Sequence, residues 1–254
     1  MNNAYRAFHH LRVEKEGQCA DAEDLRASRH GAGAHIGVSI ADLKRIAKTT
    51  KGQQSLACEL YDTGKMEAMY LAALVADGKQ MTAKQLDRWA EKASALRMIA
   101  EYTVPWVTVE NPAARELAWQ WMKSKKELVA YAGWSTYSGI VAMTPDDALD
   151  LGEIEELLGT VVTGIKTAAN RVRCIMNGFV IAVGSYVKPL SKQAKAAAKQ
   201  IGAVVVDVGD TECKIPLATA YIEKSSCQAP RPEAKKHPLL AGVCRGQRLT
   251  ALRD

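Results

Sequence analysis

Ala169-Asn-Arg-Val-Arg-Cys-Ile-Met-Asn-Gly-Phe-Val-Ile-Ala-Val-Gly-Ser-Tyr-Val-Lys-Pro-Leu-Ser191 joins two properties that are usually kept apart. Its middle is apolar enough for a buried helix, while its ends carry Arg171, Arg173 and Lys188. Asn177 and Tyr186 add polar groups along the way. The surroundings have one sign of charge: residues 157–206 hold seven cations and no Asp or Glu. A helix that packs on one side and offers cations on the other suits a polyanionic partner. A buried helix with a solvated basic rim accounts for the same composition.

On both sides of this stretch, helix signals dominate. Ser39 is placed to cap a helix with Asp42 in the capping-box position, and Ile40, Leu43, Ile46 and Ala47 form one stripe. Leu56, Leu60 and Tyr61 mark a second helix that Gly64 stops. Residues 66–76 are apolar nearly all round and predict a central, buried helix. Thr82 with Gln85 caps the next helix, and residues 95–107 predict another, bent or broken near Pro105. Asn111 as cap with Pro112 as first helical residue opens the following one. Residues 128–143 read as a buried helix, and Thr144-Pro145-Asp146-Asp147 as a capped helix start. Beyond the opening stretch, Ser191 caps a lysine- and alanine-rich helix that ends at Gly202, and residues 216–224 form a last helix. Residues 203–208 are the one run of strand character, with no second strand to pair with.

About ten helices in antiparallel pairs predict an all-α fold, a bundle or an α-solenoid, without a strict sequence repeat. Three segments are expected: an irregular N-terminal helix at 1–28, a helical domain at 29–226, and a basic, disordered tail at 227–254. The tail carries much of the net charge of +6, with six cations against two acids over 228–254. No apolar run is long enough for a membrane span, and Arg6, His9, His10 and Arg12 interrupt any signal-peptide core. The six cysteines include no C-x-x-C pair, which fits reduced thiols in a cytoplasmic protein. Gly31-Ala32-Gly33 lacks the strand and third glycine of a dinucleotide loop, and His30 and His35 lack the spacing of a metal pair. The expectation is therefore no cofactor and no metal.

Two motifs carry a resemblance to a known family. His30-Gly31-Ala32-Gly33 with Gly37-Val38-Ser39 and Asp42-Leu43-Lys44 is one, and the run from Asn170-Arg171-Val172-Arg173 to Gly184-Ser185-Tyr186 is the other. Both resemble AlkD-like DNA alkylation repair proteins, over roughly residues 29–224. The resemblance implies an α-solenoid of HEAT-like antiparallel helix pairs whose concave basic face cradles duplex DNA. It also implies excision of cationic N3- and N7-alkylated purines by hydrolysis of the N-glycosidic bond. Such a purine already leaves readily, so the site needs a carboxylate beside the sugar to stabilise the oxocarbenium-like transition state. Aromatic faces favour the lesion's charge by about 0.5–2 kcal/mol, and basic side chains hold the flanking phosphates.

Carried over position by position, Glu101 in Glu101-Tyr102-Thr103-Val104-Pro105 matches the family's catalytic aspartate. Arg97 stands where the glycosylases have a tryptophan, at i, i+4 spacing to Glu101. Phe179 falls at the second aromatic wall, and Ala132 lies near the position of the catalytic-site arginine, with Trp134 close by. The expected DNA-binding set is Arg97, Tyr102, Trp134, Arg171, Arg173, Asn177, Phe179, Tyr186 and Lys188. Trp106, Trp119 and Trp121 read as packing residues. The protein is expected to be a monomer whose partner is duplex DNA, alkylated if the excision residues still function. The alternative is a noncatalytic HEAT-like module that binds branched or damaged DNA, or a protein scaffold.

Overall fold

The computed structural model describes residues 37–209 and 214–225. The helix expected within 1–28, the glycine-rich turn at 29–33 and the tail at 227–254 lie outside the described residues. The chain divides into two compact units, Met1–Ala113 and Ala114–Asp254.

In the first unit, α1 (Ile40–Thr50), α2 (Gln54–Asp62) and α3 (Met66–Val75) are joined by short turns. Ser39 caps α1 by accepting the Asp42 N–H at 3.2 Å and donating to the Asp42 carboxylate at 2.8 Å. Gly64 ends α2 with a φ of 68°, where a side chain would be strained. All but two of the ten residues of α3 are buried, and it packs against both α1 and α2. The Thr82–Gln85 capping box opens α4 (Ala83–Lys92) as the spacing predicts. Tyr61 lies flat against Trp89, with ring centroids 3.8 Å apart, and donates from its hydroxyl to the Trp89 carbonyl at 2.7 Å. A π-turn at Ile99–Thr103 then runs directly into α5 (Val104–Thr108).

The second unit holds α6 (Ala114–Met122), α7 (Glu127–Met143), α8 (Leu151–Gly164), α9 (Asn170–Tyr186), α10 (Ser191–Ile201) and α11 (Ala218–Ser225). Helix α7 packs on α6 and on α9, and α9 also touches α10 and α11. The close approach of α6 and α7 requires Gly133, because a Cβ there would stand 2.6 Å from the Met122 nitrogen and 2.7 Å from the Ala118 oxygen. Both 17-residue helices, α7 and α9, bury most of their length, so the 169–191 stretch is the spine of this core. Phe179 sits at its centre, edge-on to Trp134 at 5.3 Å and to Tyr137 at 6.0 Å between centroids. Burying each side chain of this size contributes about 1.5–3 kcal/mol.

Three helix starts differ from the expectation. Asn111 does not open α6: its amide donates to the carbonyls of Gly78 and Met81, both at 2.7 Å, and its oxygen accepts the Ala113 N–H in a tight turn. Pro112 lies in that turn, and the helix begins at Ala114. Thr144 to Asp147 leads only into a short 3-10 turn (Asp146–Ala148), and Asp150 caps α8 by accepting the Glu153 N–H at 3.0 Å. Ser191 is the first residue of α10 rather than its cap, and its hydroxyl donates to the Gly184 carbonyl at 3.3 Å. The strand-like run at 203–208 forms no strand, and there is none among the described residues. Asn170 pins it instead, donating to the Asp207 carbonyl and accepting the Asp207 N–H, both at 2.7 Å. No single helix among the described residues is long and apolar enough to cross a membrane.

Candidate nucleic-acid interface

Glu101 owes its position to a proline. Pro105 has no N–H to give the carbonyl of Glu101 four residues back, so a regular α-helix is not available here. The backbone widens into the π-turn, and the Val104 N–H reaches the Ile99 carbonyl five residues back. Such π-turns often mark functional positions. The Glu101 carboxylate is 2% exposed, and the Arg97 guanidinium approaches it only loosely, Nε to Oε1 at 4.0 Å. The sequence spacing thus brings Arg97 and Glu101 together, with Arg97 one-third exposed. Tyr102 is half-buried beside Trp106, with centroids 6.0 Å apart, and Trp106 meets Tyr70 edge-on at 5.7 Å.

The polar residues of α9 are distributed over its whole length. At its start, the backbone N–H of Arg171 donates to the Glu127 carboxylate at 2.7 Å, so an acid from the first turn of α7 caps α9. The Arg171 side chain is itself 8% exposed. Arg173 is half-buried and donates from Nη2 to Asn170 at 3.2 Å, while its Nε has no partner among the described residues. Asn177 is fully buried and donates to the Pro216 carbonyl at 3.0 Å, tying down the segment before α11. Tyr186, half-buried at the far end, has its hydroxyl pushed up to about 12 by burial and by the neighbouring Tyr221. Lys188 follows, exposed to solvent, at the start of a 3-10 turn. At 1.5 Å per residue the two polar ends lie roughly 22 Å apart. Phe179 and Trp134 meet each other inside the core, and neither turns a ring face to solvent.

Two features of this unit escaped the sequence reading. One is a clamp in which Arg115 on α6 donates to Glu153 on α8, Nε to Oε1 at 2.8 Å, and to Asp150 at 3.3 Å. Tyr137 on α7 donates to the same Glu153 carboxylate. Burial alone would raise the Glu153 carboxyl, but the hydrogen bonds from Arg115 and Tyr137 outweigh it and hold the group below its usual range. The phenol of Tyr137 moves the other way, pushed up first by burial and then by Glu153. The other feature is a cleft of about 360 Å³ in this unit, lined by Trp119, Met122, Trp134, Leu157 and Met176 together with the exposed Lys123 and Lys125. Trp119 and Lys123 sit i, i+4 on α6, and the Lys123 ammonium lies 5.5 Å from the centre of the Trp119 ring. That spacing, with the lysine-rich 123–126 run behind it, was the available signal. Among the described residues no group of three His, Cys, Asp or Glu side chains is placed to hold a metal ion.

Comparison with known proteins places this geometry in context. The profile of the family described as DNA alkylation repair enzyme matches residues 12–200. Two uncharacterized proteins, one of Listeria innocua and one of Listeria monocytogenes, are each 30% identical over 218 residues, covering 85% of this chain and 89% of theirs. A solved structure, described as a new family of proteins related to the HEAT-like repeat DNA glycosylases with affinity for branched DNA structures, superposes with a TM-score of 0.78. It is 30% identical, and the match covers 88% of this chain and 93% of that one. The fold is thus of the HEAT-like repeat kind.

Proposed function

The chain belongs to the DNA alkylation repair enzyme family, and on that premise we propose that it binds DNA on a concave basic face and acts on alkylated purines. One observation carries the binding reading. Helix α9 is core along its middle and polar at both ends, within a stretch that holds no acid from 157 to 206. In this proposal Arg173, Tyr186 and Lys188 meet backbone phosphates, which position the protein without reading sequence. Arg171 at the start, through its backbone N–H, and Asn177 along the flank hold the helix in place. Phe179 and Trp134 fix α9 from beneath.

Excision falls to Glu101. The bond between C1′ and the purine nitrogen breaks, and the cationic purine leaves as a neutral base with the bonding pair. The Glu101 carboxylate stabilises the oxocarbenium-like sugar and takes a proton from the water that adds at C1′. Arg97 and Tyr102 flank it. Glu101 is buried with Arg97 at its side, so a sugar reaches it only after the surrounding side chains rearrange. That burial favours a second reading, in which the protein binds branched DNA, as its solved neighbour is described to do, without excising a base.

Incubation with duplex DNA carrying a single 7-methylguanine, scored for free base beside a binding titration, separates the readings. Release above the spontaneous rate, lost in Glu101→Gln with binding unchanged, is the result expected of the enzyme. Binding without release leaves the branched-DNA reading. Absence of any DNA binding contradicts both.

A further inference from the structure

We propose that the cleft beside Trp119 seats an unpaired base at the branch point of a DNA junction. This inference rests on the DNA-binding reading above and names the feature of DNA that the second unit takes. A volume of about 360 Å³ falls in the range of small-ligand sites, room for a base and part of its sugar but far too little for a duplex. The partly exposed Trp119 and Met122 give it an aromatic and apolar wall, the surface on which a base face stacks, over a floor of buried Trp134, Leu157 and Met176.

The charges complete the fit. Lys123 and Lys125 are exposed at the mouth, where the phosphates flanking an extruded base would lie. The one acid lining the cleft, Glu127, is engaged with the Arg171 N–H at 2.7 Å. The Thr160 hydroxyl is turned to its own helix, donating to the Glu156 carbonyl at 3.1 Å. Few groups remain to read the hydrogen-bonding edge of a base, so the cleft accepts all four bases by stacking alone. Lys123 over the Trp119 ring works as a cover. An arriving phosphate draws the ammonium away from the ring and frees a face for the base. Bases within a continuous duplex are already stacked, so only DNA with a discontinuity offers this ligand cheaply.

The test uses the full-length protein and 2-aminopurine, whose fluorescence falls when it stacks, placed at the branch point of a three-way junction or in the middle of a duplex. The cleft predicts quenching on binding at the junction only, and little change when the neighbouring bases are varied. Trp119→Ala should abolish the quench and weaken junction binding roughly tenfold or more, as the loss of one stacked base implies, with duplex affinity unchanged. Trp119 also packs on the core, so Lys123→Gln, at an exposed position, provides an independent variant. It should weaken junction binding more than duplex binding while leaving the melting temperature unchanged. Junction binding with undiminished fluorescence, or equal losses on junction and duplex in both variants, would overturn the cleft and leave the DNA-binding reading standing. A wild-type protein that binds neither DNA would overturn both.

Discussion

The π-turn that carries Glu101 and the helix α9 that carries the cations hold their polar groups by opposite means. Around Glu101 the backbone departs from regular helix because Pro105 withholds one hydrogen bond, and the carboxylate is buried in a short segment with a loose ionic neighbour. In α9 the backbone is regular over 17 residues, and the polar groups are fixed by neighbours: Glu127 at the start, Pro216 along the flank, Asn170 toward residue 207. The first arrangement depends on one local irregularity. The second depends on a whole core, so it should fail only when that core fails.

The largest effect expected of this contrast comes from Phe179→Ala. It removes a fully buried ring that both Trp134 and Tyr137 touch, and should cost about 3–5 kcal/mol in denaturant unfolding. A loss below about 1 kcal/mol would mean that α9 does not depend on this packing.

A smaller effect lies in the Arg115–Glu153–Tyr137 clamp that joins α6, α7 and α8. Arg115→Met should cost about 1–3 kcal/mol by leaving a half-buried carboxylate poorly satisfied. The pH dependence has a definite sign. Glu153 titrates lower in the folded protein than in an open chain, where a glutamate titrates near 4.3. The clamp's stabilisation is therefore present above that value and lost as pH falls through the folded one. Glu153→Gln should flatten acid unfolding in that window. Unchanged acid sensitivity would remove the clamp from the account.

The smallest expected change in stability is that of Pro105→Ala, within about 1 kcal/mol, since the donor it restores offsets the ring atoms lost from a buried position. Its value lies in the comparison. Amide exchange should show the new backbone N–H at position 105 protected by the Glu101 carbonyl and the π-turn drawn into regular helix, with altered placement of Glu101. An unprotected amide would mean that the π-turn has another cause.

The sequence made the helices legible where caps are purely local. Ser39 and Thr82 each bond within three residues, and both starts lie where the spacing puts them. It misled where a capping residue found a distant partner. The amide of Asn111 reaches back some thirty residues to Gly78 and Met81, and no local pattern encodes that. Of the candidate site, the Arg97–Glu101 contact was readable from i, i+4 spacing. The deep burial of Glu101, Arg171 and Asn177 was not, because it is created by elements far away in the chain. The cleft beside Trp119 went unseen because four separate segments supply its walls.

The central claim is that the ends of α9 face DNA phosphates, and a salt titration tests it most directly. Affinity for a branched and a duplex DNA should be measured from low to physiological salt for the wild type and for Arg173→Gln with Lys188→Gln. Each phosphate contact contributes close to one to the slope of log affinity against log salt. The account predicts a steep wild-type slope that falls by about two in the double variant, with the melting temperature unchanged. An identical slope in both proteins, or no binding at low salt, would contradict it.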